Sequence, residues 1–183
     1  NLFPVPLFHS SVPGFEDIDR CARRTTTRKT RAYFAGTIDS KRHTREVLVH
    51  GLKKRFRGRA DVVINTKKVD RETFVKAICN TTFVICVSGT FPPTFMIYEA
   101  MHAGALPIFI VDSLPYLPNN TALTTRKSFS NLKSMDRFMP FGDNGVHFSK
   151  FGIMLRSNDP DLIDRIEAAI SMKHSELLER QKY

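Results

Sequence analysis

Apolar residues along this chain follow two alternating rhythms. Thr82-Phe83-Val84-Ile85-Cys86-Val87 and Leu106 to Val111 are apolar almost throughout, the pattern of strands buried on both faces of a sheet. Arg31 to Gly36 and Asp61 to Asn65 read as further short strands, and a fifth is expected at about Phe151 to Leu155. Between them the period becomes helical. Val47, Leu48, Leu52 and Phe56 recur within Arg42 to Phe56, closed by Gly58. Phe74, Val75 and Ile78 recur behind Asp70, which reads as a cap. A helix from about Thr94 to His102 is expected to stop at Gly104. Near the end Leu162, Ile163, Ile166, Ala169 and Ile170 form an apolar stripe, with Asn158 or Asp159 as the cap and Pro160 in the first turn. This alternation predicts an α/β fold, a Rossmann-like parallel sheet flanked by helices, with ligands bound at the carboxyl ends of the strands. Residues 1–30, with Pro4, Pro6, Pro13 and Gly14 ahead of a basic run, read as a linker and basic loop leading into a domain at 31–183. Residues 113–146 read as an irregular wrap or lid.

Composition narrows the class. The 183 residues suffice for one core, and 42% hydrophobic with 25% charged residues is the balance of a folded chain. Its apolar runs are too short to span a bilayer. The chain starts at Asn1 without Met, so a longer protein is expected. The net charge of +10 is concentrated: Arg20 to Arg59 holds 14 of the 28 Lys and Arg but only Asp39 and Glu46 of the acids. Such a segment attracts anions such as phosphate, nucleic acid, acidic glycan or lipid headgroups, or is a solvated basic face with no ligand. Cys21, Cys79 and Cys86 are odd in number and lack CxxC spacing, so neither a zinc site nor a disulfide framework is expected, and Cys79 and Cys86 read as small buried residues. The sequons at Asn80 and Asn119 would accept glycans in a secretory lumen, although such tripeptides also occur by chance.

Three strand ends are the candidate chemistry: Gly36-Thr37, Ser88-Gly89-Thr90 and Asp112. Amides at the start of the helix near Thr94, with the hydroxyls of Ser88 and Thr90, could cradle a phosphate, and Arg42 or Arg45 could neutralise it. Glu99 could accept two hydrogen bonds from a ribose diol. The same residues also suit a plain turn and cap, with Glu99 on the helix surface. No GxGxxG, P-loop, GxSxG elbow or paired metal spacing of histidines is present, so no metal and no cofactor are expected.

The run from Thr82 through Ser88-Gly89-Thr90, Thr94-Phe95-Met96-Ile97-Tyr98-Glu99-Ala100 and Ala103-Gly104-Ala105-Leu106-Pro107-Ile108 resembles the exostosin family of glycosyltransferases. Collinear similarities extend to Tyr33-Phe34-Ala35-Gly36, Thr44 to Leu48, Leu114-Pro115-Tyr116, Phe148-Ser149-Lys150-Phe151 and Val5-Pro6-Leu7. The resemblance implies the C-terminal, donor-binding half of a metal-independent enzyme with two Rossmann-like domains. It would transfer sugar with inversion from a nucleotide diphosphate, a UDP-sugar by the family's habit, to a glycan acceptor. Members are mostly type II membrane proteins of the Golgi or endoplasmic reticulum lumen that build polysaccharides. By position, Glu99 would hold the ribose, Ser88-Gly89-Thr90 and Thr94 would line the diphosphate, and Arg45 would contact a phosphate. The general base would come largely from the missing N-terminal domain.

One departure stands out. The family usually carries Arg three residues before the helix glutamate, where this chain has Met96, and losing that guanidinium removes charge stabilisation from the leaving group. Either Arg45, Arg42 or another basic residue compensates, or this copy is an inactive member or subunit. A binding module for an anionic polymer, glycan or nucleic acid, is a third reading. Nucleic acid is disfavoured, because aromatic and basic residues do not interleave. Homo- or hetero-oligomers are left open.

Overall fold

The computed structural model describes residues 18, 28–38, 43–87, 95–111 and 147–180. They form β1 (Thr30–Ala35), α1 (His43–Arg55), β2 (Val62–Asn65), α2 (Arg71–Cys79), β3 (Thr81–Val87), α3 (Phe95–His102), β4 (Leu106–Val111), a 3-10 turn at Phe148–Lys150, β5 (Ile153–Arg156), α4 (Leu162–Ile170) and α5 (His174–Arg180). The five strands make one parallel sheet in the order β2-β1-β3-β4-β5. The expected Rossmann-like architecture is therefore present.

Strand alternation divides the core between two layers. Ala32, Phe34, Phe83, Ile85, Ile108 and Ile110 pack with Leu48, Leu52, Ile166 and Leu177 beneath α1, α4 and α5. Tyr33, Val84, Cys86 and Phe109 point the other way, against Phe74 and Ile78 of α2, Ile97 and Ala100 of α3, and Phe148. Every residue of β3 and β4 is buried, as their uninterrupted apolar character requires.

Several boundaries depart from the sequence reading. Val47 is 56% exposed, and Val49 takes its place in the core. The fifth strand begins at Ile153, because Phe148 to Phe151 is wound into a tight turn whose rings meet edge to face at 5.2 Å. The last apolar stripe, Leu162 to Ile170, lies wholly within α4, and a break at 171–173 separates it from α5. Pro160 lies ahead of α4 rather than inside its first turn, and Asp159 organises the start by accepting from Asp161 N at 3.0 Å and Arg165 Nη1 at 2.5 Å. Other signals hold: Asp70 caps α2 through Thr73 N at 2.8 Å, and Gly58 and Gly104 follow their helices at positive φ. The 113–146 wrap lies outside the described residues, as does most of the expected linker and basic loop, apart from Ile18 and residues 28–30.

At the amino end of the sheet, arginines tie elements together. Arg28 donates to Thr81 O at 2.5 Å and Ala103 O at 2.6 Å, joining the starts of β3 and β4. Arg31 donates through Nε to Ile170 O at 2.5 Å and through Nη2 to Met172 O, satisfying carbonyls at the end of α4. Arg59 grips Asp61 with Nε and Nη2 at 3.0 and 2.7 Å. That grip holds the Asp61 carboxyl below its ordinary range, while Arg28 and Arg31 are lowered by burial.

Candidate functional site

The strand order reverses its direction of winding between β1 and β3. In sheets of this type a crevice opens above the carboxyl ends of the two strands that flank the reversal. Helices bring charged side chains to this end from both layers.

Arg45, on the first turn of α1, donates through Nη1 to Thr37 O at 3.3 Å, just beyond β1. A Cβ added at Gly36 would meet Phe34 Cζ at 3.1 Å and Arg45 Nη1 at 3.5 Å, so the glycine lets the guanidinium lie close over the strand end. Glu99 comes from α3 in the opposite layer, its side chain 15% exposed. Beneath it Cys86 is completely buried, and its thiol is pushed well above the usual range, first by desolvation and then by the charge of Glu99. Cys86 is the second-last residue of β3, so the charge that it feels lies toward the carboxyl end of that strand.

Glu99 is paired with Arg71, which sequence reasoning missed. Arg71 opens α2, directly after the capping Asp70, and its Nη1 donates to Glu99 Oε1. Its guanidinium lies 5.5 Å from the centre of the Phe74 ring, which in turn packs on Tyr33 at 6.3 Å. Nε and Nη2 of Arg71 are both buried without a hydrogen-bond acceptor. A buried donor left unmade costs about 1–3 kcal/mol, and more in a charged group. A sequence signal did exist: a cation in the first turn opposes the helix dipole, which favours acids there.

Of the other expected site residues, Arg42, Ser88, Gly89, Thr90, Thr94 and the third strand end at Asp112 lie outside the described residues, as does the sequon at Asn119. Met96 packs against the apolar cluster of its own layer, so it supplies core contact where a guanidinium was expected. Asn80 is exposed at the opposite end of the sheet, capping α2, and its Oδ1 accepts from Lys29 N at 3.2 Å. Cys79 corrects the cysteine reading: it is disulfide-bonded, and Cys86 is the free, buried thiol. An odd count is compatible with one bridge plus one cysteine retired to the core. Among the described residues no three His, Cys, Asp or Glu side chains could jointly hold a metal ion, and no helix is long and apolar enough to cross a membrane.

The chain matches the family model for the Exostosin GT47 domain over residues 1–170. Comparison with curated proteins returns no match.

Proposed function

The chain belongs to the exostosin GT47 family of glycosyltransferases, and from that premise we propose that it is the donor-binding domain of an enzyme using a nucleotide-diphosphate sugar. The observation that carries this reading is the position of Glu99, held on α3 over the end of β3 at the reversal of the sheet. A carboxylate fixed there suits the two hydroxyls of a ribose, and Arg45 and Arg71 supply positive charge on either side for the diphosphate. Uridine is the base that the family resemblance favours.

The reaction in this reading is the one that the family resemblance implies. An acceptor hydroxyl attacks the anomeric carbon from the face opposite the diphosphate, which inverts the configuration. The bond from carbon to phosphate oxygen breaks, and its electron pair leaves with the nucleoside diphosphate. The hydroxyl proton passes to a base on an opposing N-terminal domain. The cationic side chains take up charge developing on the leaving group without a metal ion. The disulfide at Cys79 and the exposed Asn80 beside it support residence in an oxidising lumen, and the family resemblance points to the Golgi or endoplasmic reticulum, as part of a type II membrane protein.

The core packing of Met96 favours a second reading, a family member that binds donor without turning it over. Calorimetric titration of the full-length protein with UDP, paired with transfer of radiolabelled sugar from UDP-sugars to glycan acceptors, separates the two. Binding with transfer supports the enzyme. Binding with no transfer to any acceptor supports the inactive member, and no nucleotide binding defeats both.

A further inference from the structure

We propose that Arg71 binds the diphosphate of the donor through its Nε–Nη2 edge, standing in for the guanidinium that position 96 lacks. The inference rests on the nucleotide-sugar reading above and names a residue that neither the family resemblance nor the motif spacing assigns.

Guanidinium geometry is the first support. Nε and Nη2 lie on one side of the group and present two parallel N–H bonds, the fork that matches two oxygens of a carboxylate or phosphate. Elsewhere in this chain the same edge is used in that way: Arg59 closes it on both oxygens of Asp61, and Arg31 closes it on two backbone carbonyls. In Arg71 the edge is buried with no acceptor, while Nη1 is engaged by Glu99. Glu99 on one side and the Phe74 ring below fix the orientation of the plane, so the open edge is aimed rather than free to swing.

Location is the second support. Arg71 begins the helix that leaves the carboxyl end of β2, and it reaches across to α3 beside the reversal of the sheet. A positive group at the positive end of a helix is electrostatically opposed, and its ion-pair partner among the described residues is Glu99. An arriving diphosphate, with one negative charge on each phosphate, would relieve that opposition and satisfy both donors. The side chain as a whole is 35% exposed, while its Nε and Nη2 are buried. If Glu99 holds the ribose, as the resemblance implies, the next group along the donor is the phosphate, and among the described residues the cation paired with Glu99 is Arg71.

The test uses the full-length protein with Arg71→Gln, which removes the charge, and Arg71→Lys, which keeps a cation for Glu99 but loses the fork. UDP and GDP affinities are read by calorimetry, uridine and guanosine binding by ligand-observed NMR, and folding by thermal melting. Arg71→Gln is expected to weaken diphosphate binding by about tenfold or more, and Arg71→Lys by about fivefold, the scale of one or two charge-assisted bonds. Nucleoside binding should stay unchanged. Unaltered diphosphate affinity in folded Arg71→Lys and Arg71→Gln overturns the inference. Equal weakening of nucleoside and diphosphate overturns it too, and would mark Arg71 as a support for Glu99. Failure of the unaltered protein to bind either nucleotide instead removes the nucleotide-sugar reading itself.

Discussion

The two ends of the sheet use arginine in opposite ways. At the amino end Arg28, Arg31 and Arg59 have their donors directed at named acceptors: the carbonyls of Thr81, Ala103, Ile170 and Met172, and the Asp61 carboxylate. At the carboxyl end Arg71 spends one nitrogen on Glu99 and keeps two buried donors unanswered. An arginine whose hydrogen bonds close within the fold stabilises it. One held rigid with bonds unmade is strained in favour of an outside partner. Residue type and burial alone would not separate these roles, but the accounting of donors does.

The contrast can be broken by mutation. Its largest expected effect is Arg31→Met, which should lower unfolding free energy by about 3 kcal/mol, since two charge-assisted bonds to helix-end carbonyls are lost. Urea denaturation measures it, and a loss below the scatter between replicate curves would deny Arg31 a structural role. Gly104→Ala should follow at about 2 kcal/mol, because an L side chain resists the left-handed conformation of Gly104. Its Cβ would also come within 2.9 Å of Arg28 Nη2 and disturb the clasp between β3 and β4.

At the other end, replacing Arg71 and Glu99 together by Met and Gln should leave stability within about 1 kcal/mol, as the desolvation relieved offsets the attraction lost. A loss as large as that of Arg31→Met would erase the difference between the two ends. The smallest effect belongs to Arg59 and Asp61, which are exposed: Arg59→Met should cost less than about 1 kcal/mol after solvent screening. The Asp61 carboxyl is held below its ordinary value, so its contribution is present above the ordinary carboxylate pKa and is lost as pH falls through the lowered one. Melting temperatures of parent and Arg59→Met should therefore converge below about pH 4.

Much of this architecture was legible in the chain. The apolar runs at Thr82 to Val87 and Leu106 to Val111 could only be central strands, and Asp70 and Gly58 marked helix ends through local chemistry. The place of Glu99 on the helix after β3 was legible through its motif. Val47 misled because, with neighbouring Val49 also apolar, periodicity alone did not say which residue of α1 turns inward. Arg71 was missed because it is separated from Glu99 by 28 residues, and only the crossover from β2 to β3 brings the starts of α2 and α3 into reach. The disulfide at Cys79 was missed because an odd cysteine count without CxxC spacing leaves no mark of pairing in the sequence.

Burial of Thr82 imposes an order of events. Asn80 is exposed, but the hydroxyl residue that completes its sequon lies 8% exposed inside β3, with Thr81 between them wholly buried. An enzyme that reads this tripeptide needs it extended and accessible, which the finished sheet forbids. If Asn80 accepts a glycan, it must therefore be attached while the chain is still emerging, before β3 slots between β1 and β4. Slow folding of this strand would raise occupancy and rapid folding would lower it, so the extent of modification at Asn80 would serve as a clock for assembly of the sheet.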